Sequence, residues 1–531
     1  MSAAIEHRVR ERKAWRIGTL AVASLLIAAF WFGRQVFQAD WGIIDDHEVF
    51  EYLGTSRSLA LGDVLKTVFT QTELANPWSN VRFRPVYYVL RVFEVALWGD
   101  RVQLWYMARL LLYAVFLFAV AEVTARLCGF ITALILMIYV SLFGYWGDVF
   151  ARLGPAEAYA TAGLGLWLLG IRRLLGSQPL ARKRLALFAV FAGAAIMSGS
   201  KETLVPFSFY SVAAILISIW LDGTRDRTAS MVALVASCGW GAMIAVIMLH
   251  QLASHGTDIY GASAAFGDRA KLVAGALRAL VWPVAAAGAL IATFYLIAPW
   301  DKWLRASGWL LAVVAVVASL HASQFIAYNG QWPTRIRYDF PGQMCLPALW
   351  VAVVAYAGAL DLGAPDTRRL RQAVLLVAMI ILQARFGVGE QSVNPGLILS
   401  RVGANISATA TFSSGIRDVI AQGRAHPERP IVLEAHGIGS YEPVFSTGLY
   451  LRHYKVTNPV TVRYHLQDSD RIGKAQEDLA NVLVDLERKG ATSKYGRFWP
   501  LSGQMEAIGK GCISVALYGP GDATCFARRV F

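Results

Sequence analysis

Long apolar blocks recur along most of this chain, near residues 17–32, 104–125, 129–146, 156–171, 185–199, 203–221, 229–249, 272–298, 308–327, 341–360 and 372–388. About 17–25 uncharged residues are enough to cross a bilayer, and several of the eleven blocks sit at the short end of that range. Inside lipid the backbone has no water to bond, so each block must close its own hydrogen bonds as a helix. Charged residues make up only 16% of the 531 and hydrophobic residues 56%, where a soluble domain carries about 25% charged. A disordered chain, a collagen-like fibre, a disulfide scaffold and an ordinary cytosolic enzyme are thereby excluded. The expected fold class is mostly α: a polytopic membrane helical bundle of about eleven spans, with a small extramembrane α/β domain at the C-terminal end.

Topology accounts for where the remaining charges sit. Arg8, Arg10, Arg12, Lys13 and Arg16 precede the first block, and no small-x-small cleavage site follows before Arg34. The block therefore reads as an uncleaved first span with its basic side in the cytoplasm. By alternation, Arg172, Arg173, Arg182, Lys183 and Arg184 fall on that side, as do Arg225 and Arg227, Lys302 and Arg305, and Arg368, Arg369 and Arg371. An odd number of spans leaves the C-terminus outside. The net charge of +14 does not indicate nucleic acid, because residues 389–531 hold 16 Lys and Arg against 13 Asp and Glu. Most of the excess lies in short loops beside spans, where topology and anionic membrane lipid explain it. A bacterial inner (plasma) membrane is expected, with the C-terminal domain periplasmic or extracellular; a single Asn-x-Ser sequon, at Asn405, falls outside.

Two regions are not membrane. One is the outer loop 34–99, part of a transmembrane domain at 1–388. The other begins with a Ser/Thr/Asn-rich linker, 389–415, and continues as an extramembrane domain, 416–531. There 430–434, 461–464 and 512–518 read as strands and 440–452 and 472–488 as helices, the alternation of an α/β domain. Cys128, Cys238 and Cys345 are expected as packing residues. Cys512 and Cys525, 13 residues apart around a Gly-Pro-Gly-Asp turn, either form a hairpin-spanning disulfide or remain thiols.

Candidate chemistry gathers just after the first span. Asp45, Asp46, Glu48 and Glu51 are interleaved with Phe50 and Tyr52, and the amphipathic helical pattern through Leu61 is expected to lie along the membrane interface. Two readings stand: a solvated acidic cap, or a carboxylate held at the surface as a general base. Two neighbouring carboxylates should also raise the pKa of one of them. Arg84, Arg152, Lys201, Arg335 and Arg337 fall on the outer side, where each either snorkels at the interface or meets an anionic group. Lys201-Glu202 opens the sixth span as an internal ion pair or a binding group. Asp45, Asp46 and Glu157 together would suit a divalent cation, magnesium or calcium, although no ligand motif demands a metal. His250 and His255 lack a third ligand. Residues 199–203 lack the Gly-Lys-Ser/Thr of a P-loop and 436–439 the third glycine of a dinucleotide site, so both read as turns.

Further along, Arg84-Pro85 precedes Val86, Tyr87 and Tyr88, Trp98-Gly99 follows, and Ala108-Arg109-Leu110 enters the second span. An acidic pair, then basic residue–Pro–aromatic, then Trp-Gly, then Ala-Arg-Leu, in that order, resembles the opening of the GT-C glycosyltransferase superfamily. The nearest branches are the lipid A aminoarabinose transferases and protein O-mannosyltransferases. The resemblance covers about residues 17–130. It implies an inverting transferase that moves a hexose or pentose from a polyprenyl-phosphate donor to a glycan, lipid or protein acceptor on the outer face. The family's catalytic base falls on Asp45 or Asp46, since the usual Asp-Glu pair is Asp45-Asp46 here and both registers fit. Its basic-Pro-Pro element becomes Arg84-Pro85-Val86, which assigns Arg84 to the donor phosphate. Tyr87, Arg152, Glu157, Lys201, Arg335 and Arg337 complete the expected substrate-binding set.

A polytopic transporter or lipid flippase is the alternative. It would place ionisable groups deep within spans, where this chain has only Glu122 and His321, whereas its carboxylates gather in the outer loop. Acids in the C-terminal domain are scattered, so that domain is expected to govern acceptor access without supplying the base.

Overall fold

A computed structural model describes residues 2–43, 45–75, 83–176, 179–222, 226–255, 300–328, 342–359, 365–386, 393–436, 441–465, 495–500, 513–518 and 526–530, with Arg337, Phe340 and scattered positions between 267 and 292. The chain is mostly helical. Helix α1 (Ser2–Gln38) contains the first apolar block; the segment that follows carries α2 (His47–Leu53), α3 (Val64–Gln71) and α4 (Pro85–Trp98). Next come α5 (Val102–Cys128), α6 (Phe130–Ser141), α7 (Trp146–Phe150), α8 (Glu157–Leu174) and α9 (Leu180–Ser200). They are followed by α10 (Pro206–Asp222), α11 (Arg227–His255), α12 (Trp300–Tyr328), α13 (Gly342–Ala359) and α14 (Pro365–Phe386). Ten of the eleven apolar blocks coincide with a helix; the other, 272–298, is described only at scattered positions.

Among the described residues, four segments are long and apolar enough to cross a membrane: Ala14–Gln38, Val102–Cys128, Glu202–Leu221 and Arg227–Gln251. Large apolar side chains stand exposed along them, Phe30 at 70% and Trp220 at 82%, an arrangement that lipid accommodates and water does not. Inside, α1 packs along α5, α5 on α8, and α8 on α9. Aromatic rings fill the junction of α1, α5 and α7, with Tyr113 5.3 Å from Phe32 and 4.9 Å from Phe150 between centroids.

The expected linker 389–415 needs correction, because 395–425 form one helix, α15 (Pro395–Ala425). Pro395 occupies its first turn, where a missing N–H costs nothing, and the Asn394 side chain caps it by accepting the Leu397 N–H at 3.0 Å. Thr409 and Ser413 are buried against the chain that leaves α1. Two of the hydroxyls that give this stretch its linker-like composition are therefore helix-face contacts.

Beyond α15, strands β1 (Ile431–His436), β2 (Val460–His465), β3 (Tyr495–Pro500), β4 (Ile513–Tyr518) and β5 (Phe526–Val530) form one sheet in the order β3-β2-β1-β4-β5. Ile431 of β1 sits opposite Val460 and Ile513 in parallel register, and β5 runs antiparallel to β4. Helix α16 (Tyr441–His453) is the crossover that a parallel β1–β2 pair requires. β1, β2, β4 and α16 fall where the sequence places them, and β3 and β5 extend the sheet. The expected helix 472–488, Cys512 and Cys525 lie outside the described residues.

Candidate active site

The chain leaving α1 is tied down residue by residue. Asp40 Oδ2 accepts Ser413 Oγ at 2.6 Å and the Arg417 guanidinium, and the Asp40 N–H donates to Thr409 Oγ1 at 3.1 Å, all from α15. Asp46 is the N-cap residue of α2, and its carboxylate turns back to accept the Gly42 N–H at 2.7 Å. Within that closed turn Asp45 sits at φ +67°. A residue with a side chain adopts this left-handed region rarely, at about 1–3 kcal/mol, and keeps it only where its surroundings force it. Gly154 makes the room, because a Cβ there would lie 2.1 Å from the Cβ of Asp45.

The helix expected through Leu61 stops at Leu53 instead, where Gly54 turns the chain at φ +58°. Val49, Phe50 and Leu53 are buried inside the protein, so the apolar face of α2 does not lie on the membrane. Phe50 packs between Trp41, 4.9 Å away between centroids, and Tyr450, 4.2 Å away.

Asp45 Oδ2 accepts a hydrogen bond from Arg152 Nη2 at 2.6 Å, and both side chains remain partly open, at 28% and 40%. Burial pushes the Asp45 carboxyl up, but Arg152, Arg337, His47 and Arg91 together outweigh it and hold Asp45 below the ordinary carboxylate range. Asp45 is therefore ionised at neutral pH. Asp46 goes the other way: burial, only partly offset by the Gly42 N–H and Arg91, pushes it up to about 7. Burial also pushes Glu48 up to about 7 against the pull of Arg91 and the Tyr87 hydroxyl. Glu48 Oε2 accepts the Tyr87 O–H at 2.7 Å and lies 3.4 Å from Arg91 Nε. Arg91 is fully buried; Nη1 donates to the Leu153 carbonyl at 3.0 Å, Nη2 to the Asp45 carbonyl at 3.4 Å, and the guanidinium lies 4.8 Å over the Trp105 ring. A guanidinium held from several sides in this way is a fixed positive charge behind the carboxylates.

Of the residues singled out in the sequence, Asp45, Asp46, Tyr87 and Arg152 meet in one place, and Arg337 is within electrostatic reach of Asp45. Glu157 and Lys201 meet each other as a buried ion pair between α8 and the α9–α10 connection. Arg84 Nε donates to Glu202 Oε1 and Oε2 at 2.9 and 3.1 Å. Arg335 lies outside the described residues. Among the described residues, no three His, Cys, Asp or Glu side chains are placed to hold a metal ion. Asp45, Asp46 and Glu157 are not gathered into one donor set: Asp45 meets Arg152, Asp46 the Gly42 N–H, and Glu157 Lys201. Sequence reasoning missed Arg91. Its signal was a lone arginine four residues after Tyr87 in the apolar run 85–98, a spacing that places both on one face of α4.

The arrangement pairs an ionised, partly open carboxylate with guanidinium groups just beyond the C-terminal end of α1. A carboxylate of this kind can accept a proton, and guanidinium groups bind anions in bidentate fashion. No protein-family model matches the chain, and no curated protein matches it.

Proposed function

We propose that this protein is a GT-C-like inverting glycosyltransferase, which transfers a hexose or pentose from a polyprenyl-phosphate donor to a glycan, lipid or protein acceptor on the outer face of a bacterial inner membrane. In this reading the chain crosses the membrane eleven times, its N-terminus is cytoplasmic, and the sheet with α16 stands in the periplasm or outside the cell. One observation carries it: Asp45 is ionised, conformationally strained and partly open beside Arg152, directly after a membrane-crossing segment.

The acceptor hydroxyl attacks the anomeric carbon of the donor, and its proton passes to Asp45. The bond from that carbon to the phosphate oxygen breaks, and polyprenyl phosphate leaves with the electron pair. A positioned base contributes about 10²–10⁴-fold to such a step. Direct displacement with one base inverts the anomeric centre. Arg152 and Arg84, the latter steadied by Glu202, are assigned to the phosphate as its charge grows. Asp46, buried, and Glu48, partly open, are both protonated more readily and are assigned to holding the loop.

The test is release of polyprenyl phosphate by purified protein in lipid bilayers from a panel of sugar-labelled polyprenyl-phosphate donors. Release that Asp45→Asn abolishes is expected. Coupled solute or lipid movement across the bilayer, with no release from any donor, would overturn the proposal in favour of a transporter or flippase.

A further inference from the structure

We propose that helix α16 is a positioning element for the base loop: it grips the loop on both sides of Asp45 and holds the geometry in which that carboxylate works. The proposal rests on the reading of Asp45 as the base. It gives the C-terminal region a part in the chemical step, beyond any control of acceptor access.

The grip is visible bond by bond. On the upstream side, Tyr450 donates its hydroxyl to the Gly42 carbonyl at 2.8 Å, and the N–H of that same glycine holds the Asp46 carboxylate at 2.7 Å. Downstream, Arg452 Nη2 donates to the Phe50 and Glu51 carbonyls at 3.3 and 3.1 Å, and His453 Nδ1 lies 2.9 Å from the Gly54 carbonyl. Since a carbonyl only accepts, Nδ1 is the protonated nitrogen of that ring. Ser446 Oγ lies 2.8 Å from His47 Nδ1. The Glu51 carbonyl lies in the last turn of α2, where a short helix leaves acceptors unsatisfied, the Phe50 carbonyl also takes the Gly54 N–H at 3.0 Å, and the charge of Arg452 suits the negative end of the helix dipole.

Helix α2 needs this support. It has seven residues, far below the length at which a helix stands alone in water. Asp46 is its N-cap residue, and the Val49 N–H reaches the Asp46 carbonyl at 3.1 Å, so whatever fixes α2 fixes the backbone beside Asp45. A left-handed Asp45 between two loosely held points would relax to an ordinary conformation. Between two points held by α16 it cannot. Arg152 and Gly154 then meet a carboxylate whose position is already set.

The experiment has two arms on the full-length protein in lipid. The first measures kcat and KM for the polyprenyl-phosphate sugar chosen by the release assay, in Tyr450→Phe, Arg452→Ala and Arg452→Lys. Misplacing a catalytic group by about 1 Å costs up to about a hundredfold. Tyr450→Phe and Arg452→Ala should therefore lose about tenfold or more in kcat with donor KM unchanged, and Arg452→Lys should recover part of the loss. An unchanged kcat, or a change confined to KM or to the thermal midpoint, overturns the proposal. If Asp45→Asn is inactive in that same series, the base assignment survives; if Asp45→Asn is fully active, the base assignment itself falls. The second arm locks the contact covalently and uses the same donor. A Ser446→Cys, His47→Cys double variant should form a disulfide on oxidation and keep the turnover of its reduced form. Failure to cross-link, or turnover lost on oxidation and restored by reductant, overturns the proposal.

Discussion

Asp45 and Asp46 are neighbours in sequence with opposite environments. Asp45 points to Arg152 and stays partly open, whereas Asp46 is 3% exposed and closes a turn onto Gly42. Asparagine at position 45 keeps the size and hydrogen bonding but cannot take a proton. Turnover in Asp45→Asn should fall ~10²-fold or more, with donor KM near wild type. In Asp46→Asn the amide oxygen can still accept the Gly42 N–H, so its turnover should fall much less. Steady-state kinetics of the two variants decide the matter, and wild-type turnover in both would leave the acidic-cap reading. A second prediction concerns pH. Asp46 and Glu48 are both pushed up to about 7, so the folded protein binds more protons than the unfolded chain between about pH 4 and about pH 7. That support is complete at low pH and lost as pH rises through about 7. Asp46→Asn has no such proton to lose. Its thermal midpoint relative to wild type should climb from about pH 5 to about pH 8, and a flat difference would show that Asp46 titrates normally.

At the scale of elements, the Trp98-Gly99 motif is a corner with little tolerance. Gly99 ends α4 at φ +55°, its carbonyl accepts Trp105 Nε1 at 3.0 Å, and an added Cβ would lie 2.4 Å from the Arg57 carbonyl. Beside it, Asp100 pairs with Arg57 at 2.8 Å, closing the segment between α1 and α5 against the start of α5. Gly99→Ala should lower stability by about 1–3 kcal/mol, read as a drop in thermal midpoint. A midpoint equal to wild type would mean that the 55–58 turn shifts aside freely. α15 shows the converse case, in which composition misleads. A stretch rich in Ser, Thr and Asn reads as linker until Asp40 is seen receiving Ser413 and Arg417 from it.

For the whole molecule, the C-terminal region reaches back to the beginning of the chain. If it governed acceptor access alone, deleting 426–531 would reduce transfer to a large acceptor more than hydrolysis of the donor. The deletion also removes α16, strips Phe50 of Tyr450 and His453, and frees the carbonyls that Arg452 holds. Transfer and donor hydrolysis are therefore expected to fall together in a truncated protein that still inserts into the membrane. Hydrolysis near the wild-type rate, with transfer lost, would return the region to acceptor access.

The helices were legible because their cause is local: an apolar block in lipid closes its own backbone hydrogen bonds, whatever lies elsewhere in the chain. β1, β2, β4 and α16 were legible for the same reason, from side-chain pattern and turn residues within a few positions. The cluster of acids after the first span could also be located. Its internal order could not. Adjacency in sequence predicts one raised carboxylate in the Asp45–Asp46 pair through mutual repulsion, whereas burial is the larger cause in the folded protein. Burial and electrostatic potential sum over everything nearby in space, and here that includes Arg91 from α4, Arg152 beyond α7, and α16. Ser446 meets His47 across 399 residues of sequence. The sequence alone therefore determined which apolar blocks become helices and where the acids stand; only the tertiary structure decided which acid keeps its charge, because that depends on partners that folding brings together.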